Sequence, residues 1–147
     1  MYQKIRKQNQ GFTIIEVLIV LAIAGLILLI VFLAVPALQR NSRNTQRKED
    51  AAKALAAVVE WSNNNNGVMP TTGVQQGEAL ANANLGIFNG VTTWGVAAAW
   101  PGTPNNLVLA VNNKCSGETA LTAQNRSVAA MYMVETGGAS VRQCEES

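Results

Sequence analysis

The chain has 147 residues, of which 48% are apolar and 14% are charged. Its net charge of +2 gives no support to nucleic-acid binding, for which we expect a strongly basic chain. Histidine is absent, which excludes a Ser-His-Asp triad, a Cys-His pair and an imidazole metal site within this chain.

The first eleven residues are basic and polar, and they end on Gly11 directly before a long apolar run. Lys4, Arg6 and Lys7 all lie in this short segment. Without them, eight basic side chains remain against nine acidic ones, so the rest of the chain has a net charge of −1. A basic preface to an apolar run is typical of a targeting leader, and we assign residues 1–11 to one.

The next segment is apolar throughout, and residues 17–38 carry no charge. At about 1.5 Å of rise per residue, a helix over this range is roughly 33 Å long, which matches the core of a bilayer. The segment therefore predicts a membrane-spanning helix over residues 12–38. Basic residues flank it on both sides, so the positive-inside rule alone does not orient it. The polar, cysteine-containing remainder favours a cytoplasmic N-terminus and an exported head.

Beyond Pro36 a helical spacing of apolar residues resumes and predicts an amphipathic helix over residues 37–62. Leu55, Val58 and Val59 lie on its apolar face. Pro36 lacks an amide hydrogen and clashes with the preceding turn, so we expect it to kink or loosen one long helix rather than separate two domains. Four asparagines and Gly67 end the helix, because glycine readily takes the left-handed conformation of such an exit.

The C-terminal part, residues 63–147, contains turn residues and short β-prone runs. A short helical piece is predicted over residues 78–83, residues 112–126 are predicted as a polar loop, and Gly137-Gly138 as a hairpin turn. The predicted strands are residues 91–100, 107–111, 128–136 and 140–144. The expected fold is α+β, in which a long N-terminal helix, apolar over 12–38 and amphipathic over 39–62, packs on a small antiparallel sheet.

The two cysteines, Cys115 and Cys144, both lie in the part of the chain that would be exported. An oxidising compartment favours a disulfide between them, whereas a reducing one would leave two thiols. The bond would enclose 28 residues and, on the chain-entropy model, stabilise the head by about 3 to 4 kcal/mol.

One carboxylate, that of Glu16, lies at the start of the apolar run. An unpaired charge there costs roughly 2 to 3 kcal/mol even on forgiving insertion scales. Cleavage after Gly11 would give Phe12 an α-amine that is cationic near neutral pH. That amine can be matched by Glu16 four residues on, or by Glu16 of a neighbouring helix.

The stretch Gly11-Phe12-Thr13-Ile14-Ile15-Glu16, followed by the apolar run, resembles the class III signal of type IV prepilins and related pseudopilins. The resemblance implies cleavage between Gly11 and Phe12 by a prepilin peptidase, N-methylation of Phe12, and assembly into a homopolymer through Glu16 and Thr13. It also implies a pilus assembly ATPase and a membrane platform protein as partners. Pro36 is similar to the helix-breaking proline of the family, and Cys115–Cys144 to its C-terminal disulfide.

The resemblance implies a structural filament subunit that serves adhesion, twitching motility or DNA uptake. Such a subunit sits in the cytoplasmic membrane with its head outside and then moves to an extracellular pilus. The alternative within the family is a pseudopilin of a type II secretion or competence system. The cysteine pair and the lack of an aspartate-rich calcium loop favour a pilin.

Outside the family, the same segment fits an ordinary signal peptide with a cleavage pattern at Val35-Pro36-Ala37, or a signal anchor for a monomeric surface binding domain. The first has too long an apolar core, and both leave Glu16 unexplained. An enzyme, a metal site and a cofactor are not expected, because the glutamates of the head are scattered. The basic residues Arg40, Arg43, Arg47 and Lys48 are interpreted as a helix surface that faces solvent or lipid head groups.

Overall fold

The computed structural model describes residues 11–88, 91–94, 100–117 and 120–147. The chain divides into two compact units, Met1–Ala37 and Leu38–Ser147. The α+β class predicted from the sequence is confirmed. The elements are the helices α1 (Ile14–Asn64) and α2 (Gly73–Leu80) and the strands β1 (Val91–Trp94), β2 (Leu107–Ser116), β3 (Ala120–Glu135) and β4 (Ser140–Glu146).

Helix α1 includes both the apolar and the amphipathic segment, and Pro36 lies inside it. It ends within two residues of the predicted position. The exit is the one that its glycine favours: Gly67 has φ +77° and donates its amide hydrogen to the carbonyl of Ser62 at 2.8 Å. The helix is one element by its backbone hydrogen bonds, whereas a kink at Pro36 stays a prediction.

Helix α2 begins earlier than the predicted residues 78–83. Thr72 precedes it, and its Oγ1 accepts a hydrogen bond from the amide of Gln75 while the Gln75 side chain accepts one from the amide of Thr72. This reciprocal pair satisfies two amides at the helix start. The Thr-x-x-Gln pattern is visible in the sequence and would have placed the start correctly.

The four strands form one sheet in the order β1-β2-β3-β4. The pairs β2–β3 and β3–β4 are antiparallel, and the turn at Gly137-Gly138 joins the second pair as predicted. The expectation of a wholly antiparallel sheet is wrong for β1, which pairs with β2 in parallel. The long connection 95–106 permits the return that parallel pairing requires. Residues 95–99 of the predicted first strand lie outside the described part.

The main core lies between the second half of α1 and one face of the sheet. Leu55 and Val58 are buried there, and Val59 packs at its margin, as the helical spacing predicts. Alternate residues of β2 and β3 face them, in keeping with the period of two along a strand. The core residues from these three elements are Ala51, Ala54, Leu55, Val58, Leu107, Leu109, Val111, Val128, Ala130 and Tyr132.

The predicted loop over residues 112–126 is wrong, because β2 continues to Ser116 and β3 begins at Ala120. The strands bend between Val111 and Asn113, where the register shifts and β3 contains extra residues. Beyond the bend the two strands fold back over the face of the sheet that points away from α1. They cover a second, smaller apolar group that we call the outer cluster: Val108, Ala110, Ala129 and Met131.

Candidate functional site

The start of α1 is built from Thr13 and Glu16, which bond to each other. The amide of Thr13 donates to Oε2 of Glu16 at 2.8 Å, and its hydroxyl donates to the same oxygen at 2.7 Å. The amide of Glu16 lies 3.4 Å from Oγ1 of Thr13 and donates to it. The two residues form a capping box, in which each side chain satisfies the other's backbone.

The capping box changes the interpretation of Glu16. Its carboxylate has partners in the uncleaved chain, so a free Phe12 amine is not needed to explain why it is tolerated. All these bonds use Oε2, and no described residue donates a hydrogen bond to Oε1. One oxygen is satisfied locally and the other is open. The pattern Thr-x-x-Glu before an apolar run is a helix-start signal that can be found in the sequence alone.

Gly11 and Phe12 lie just before the helix and outside it. Phe12 is 89% exposed, and a Cβ placed on Gly11 would meet no atom within 4 Å. The peptide bond predicted to be cleaved is therefore sterically accessible in the isolated chain. Thr13 keeps its own amide hydrogen after such a cut, so the capping box does not depend on the leader.

The apolar half of α1 has no buried residue in the isolated chain. Every residue from Gly11 through Gln39 is exposed, including Phe32 at 74%. Among the described residues, α1 is the one helix long and apolar enough to cross a membrane, with a mean hydropathy of 3.4 in its most apolar window. A continuous apolar surface of this size requires lipid or another apolar surface around it.

The second half of α1 carries the basic residues, and two of them pair with the same carboxylate. The guanidinium of Arg47 is 2.6 Å from Oε1 of Glu135, and that of Arg43 is 2.7 Å from Oε2. Arg47 is 1% exposed and also donates to the carbonyl of Pro104 at 2.9 Å. The interpretation of this stretch as a surface that faces solvent or lipid is therefore wrong for Arg47.

The same place holds Asn44, whose side-chain amide bonds to the backbone of Glu135 on both sides. Its Nδ2 donates to the Glu135 carbonyl at 2.7 Å, and its Oδ1 accepts from the Glu135 amide at 2.8 Å. Hydrogen bonds from Arg43 and then Arg47 lower the pKa of Glu135 to about 2. The helix is thus tied to the end of β3 by charge and by backbone pairing.

A buried acid, Asp50, lies one turn beyond Arg47 in α1. Burial opposes its ionisation, but hydrogen bonds from Lys53 and from the amide of Ile87, each at 2.8 Å, outweigh burial and lower its pKa. Asp50 therefore stays charged and connects the helix to the segment before β1. Neither this acid nor Glu135 is part of a group of three metal-ligating side chains within the described residues.

The remaining predicted site residues are the cysteines. Cys115 and Cys144 form a disulfide, with their Cα atoms 5.9 Å apart, in agreement with the pairing that the sequence favoured. The bond joins the folded-back part of β2 to β4. It is far along the chain from Glu16 and Thr13 and belongs to the head.

The N-terminal region matches a known family model. Residues 6–32 match the prokaryotic N-terminal methylation motif, which is the class III signal of type IV pilins and pseudopilins. Over these residues the chain is similar to type IV pilins and pseudopilins. This signal implies processing by a prepilin peptidase, and the apolar N-terminal helix fits membrane anchoring before assembly. Neither a curated protein nor a solved structure matches the chain significantly.

Proposed function

We propose that the chain is the structural subunit of a type IV pilus filament. A prepilin peptidase cuts between Gly11 and Phe12, the new amine of Phe12 is N-methylated, and the mature subunit polymerises through the apolar half of α1. The filament then serves adhesion, twitching motility or DNA uptake. The head, residues 63–147 with the second half of α1, forms the surface of the filament.

The arrangement of Glu16 is the observation that carries this proposal. Its Oε2 is occupied by Thr13, while Oε1 has no donor in the described chain. A carboxylate with an open oxygen in an apolar surface favours a cation, because opposite charges attract strongly in a medium of low dielectric constant. The Phe12 amine of a neighbouring subunit supplies that cation without displacing the capping box.

The exposed apolar half of α1 supplies the driving force. In the membrane this surface contacts lipid, and in the filament it contacts the same surface of other copies. The exchange replaces one apolar environment by another, so packing and the ion pair decide the outcome. The assembly ATPase and the platform protein would do the work of extraction.

The first test is the mass of the mature N-terminus. Protein purified from membranes or filaments should begin at N-methylated Phe12. A mature chain that begins at Leu38, or one that retains Met1, would contradict the proposal. The uncleaved chain in membranes would instead favour a monomeric anchored binding domain.

A second test separates the charge of Glu16 from its role in the capping box. Glu16→Gln keeps an acceptor for the Thr13 amide but removes the charge, so we expect normal membrane insertion and a loss of filaments of at least about tenfold. Glu60→Gln, an exposed glutamate of the same helix, is the matched control and should leave filaments unchanged. Electron microscopy and immunoblots of sheared filaments measure both. Normal filaments from Glu16→Gln would refute the ion pair.

A pseudopilin of a type II secretion or competence system is the second candidate, because it carries the same methylation motif. Deleting the gene distinguishes the two: loss of surface filaments supports a pilin, whereas loss of protein secretion with filaments intact supports a pseudopilin. The disulfide of the head and the single aspartate of the sequence favour the pilin.

A further inference from the structure

The folded-back ends of β2 and β3 form a separate layer on the head, which we call the strap: residues 113–117 and 120–125. Inside the strap the strands pair as in any antiparallel hairpin, with Cys115 opposite Leu121. In a flat sheet of the same register, Cys115 and Cys144 would be roughly 25 Å apart. Their Cα atoms are 5.9 Å apart, so the strap must turn back over the sheet.

Two residues form the hinge at which the strap turns back. Asn112 in β2 and Arg126 in β3 both have left-handed backbones, with φ of +55° and +61°, which non-glycine residues rarely adopt. The amide of Arg126 donates to Oδ1 of Asn112 at 3.2 Å and ties the two together. Next to them, the buried hydroxyl of Ser127 lies within 2.9 Å of the carbonyls of Asn113 and Gln124.

Among the described residues, the strap covers the outer cluster with two partly buried side chains, Leu121 and Cys115. The Cys115 amide also donates a hydrogen bond to Oε2 of Glu146 at 2.8 Å and joins the strap backbone to β4. A two-stranded hairpin alone is marginally stable in water. Asn113 also ties the strap to the hinge through Val111 and Ser127, whereas over the outer cluster the strap is joined covalently to Cys144.

We propose that the strap is a redox-locked cover, closed by the Cys115–Cys144 bond after export and opened by a thiol reductant while the rest of the head stays folded. Closure is a thiol–disulfide exchange with an oxidised protein disulfide on the exported side. One cysteine thiolate attacks that disulfide and forms a mixed disulfide with the partner protein. The second cysteine attacks the mixed disulfide, forms the Cys115–Cys144 bond and releases the partner. Two electrons and two protons pass to the partner, which leaves as a dithiol. Opening is the reverse reaction with a dithiol reductant.

The consequence is that oxidation state controls one face of the head and not the main core. An open strap uncovers the outer cluster, which is an apolar surface, so the reduced subunit is prone to proteolysis and association. The core between α1 and the sheet contains neither cysteine and keeps its contacts. This inference shares with the proposed function the export of the head, but it does not need the head to be part of a filament.

Hydrogen–deuterium exchange on the full-length protein in detergent tests the proposal. After reduction with a phosphine, amides of residues 113–117 and 120–125 should exchange at least about tenfold faster, while those of 107–111 and 128–134 change less than about twofold. The Cys115→Ala/Cys144→Ala double variant should match the reduced protein and show no response to the phosphine. Unchanged strap exchange would overturn the lock. Faster exchange throughout both sets, or a double variant that does not fold, would overturn the independence of the core.

Limited trypsin digestion gives a second readout with an internal control. Reduction should speed cleavage after Lys114, in the strap, and after Arg126, in the hinge that follows it, by at least about tenfold. Cleavage after Arg142 in β4 should not change, because β4 remains paired with β3. Equal acceleration at all three positions would contradict a local opening.

Discussion

Two carboxylates, Glu16 and Glu135, are satisfied in opposite ways. Within the described part of the chain, Glu16 bonds only to its own helix start, through one oxygen, and is surrounded by exposed apolar side chains. Glu135 lies at the end of β3 and receives a guanidinium on each oxygen from residues about ninety positions earlier. Glu16 therefore has one carboxylate oxygen available for a further hydrogen bond or ion pair, whereas both oxygens of Glu135 are paired within its own chain.

The difference fits the roles proposed for the two halves of α1. A charge with an open oxygen can recruit a partner, so the apolar half is suited to assembly. A charge whose oxygens are both occupied by buried or well-placed cations cannot, so the second half is suited to holding the head on the helix. The two carboxylates should therefore respond differently to pH, to truncation of their partners and to loss of the cap.

The largest expected effect is a loss of head stability in acid. The pKa of Glu135 is about 2 in the folded chain against 4.5 ordinarily, so its contribution is fully present above about pH 4.5 and disappears as pH falls toward 2. Unfolding free energy, from urea titrations of the full-length protein in detergent, should fall by about 3 kcal/mol across that window. Glu135→Gln should remove most of this slope, with the lowered pKa of Asp50 supplying the remainder. A flat profile between pH 5 and 2.5 would contradict the saturation of Glu135.

A smaller effect should separate the two arginines that share Glu135. Arg47→Ala removes a buried cation that also bonds to Pro104, and should cost about 2 kcal/mol of unfolding free energy, because Arg43 still neutralises the carboxylate. Arg43→Ala removes the exposed partner and should cost about 0.5 kcal/mol. Tryptophan fluorescence during urea unfolding measures both. Equal losses of unfolding free energy in the two variants would show that the burial of Arg47 does not contribute to stability.

The smallest effect concerns the cap of Glu16. Thr13→Ala removes the hydroxyl and should weaken the helix start by about 1 kcal/mol, seen as faster amide exchange at residues 14–17. Thr13→Ser should restore the wild-type rate. Filament yield should fall less in Thr13→Ala than in Glu16→Gln, since the charge is intact. A greater loss in Thr13→Ala would make capping, and not charge, the important property of this site.

Much of the fold was predictable because it depends on periodicity. Helix α1 was placed to within two residues at its C-terminal end, and the buried face with Leu55 and Val58 follows from spacing alone. Of the candidate site, composition and order singled out Glu16 and the cysteine pair, whereas the leader over residues 1–11 stays a prediction. These features are local in sequence, or few enough that no alternative pairing exists.

The parts that failed depend on contacts between distant residues. The strap was predicted as a loop because its outward residues are polar, and its inward pair, Cys115 and Leu121, is too short a pattern to indicate a strand. Nothing in the basic stretch distinguishes Arg47, which is buried, from its exposed neighbour Arg43; burial follows from the position of Glu135. The two capping boxes differ from these cases because they are local in the sequence. The patterns Thr13-x-x-Glu16 and Thr72-x-x-Gln75 were sufficient to predict both helix starts.

The double hydrogen bond of Asn44 to the backbone of Glu135 has a consequence for building hybrids. The side-chain amide of Asn44, in the helix, pairs with the backbone of Glu135 as the peptide group of a neighbouring strand would. A shift of α1 by one turn, about 5.4 Å, would break both hydrogen bonds. Asn44 therefore fixes the register between the helix and the sheet of the head. A chimera that takes its N-terminal segment from another subunit should therefore be joined before Arg43, so that Asn44 and the head come from the same protein.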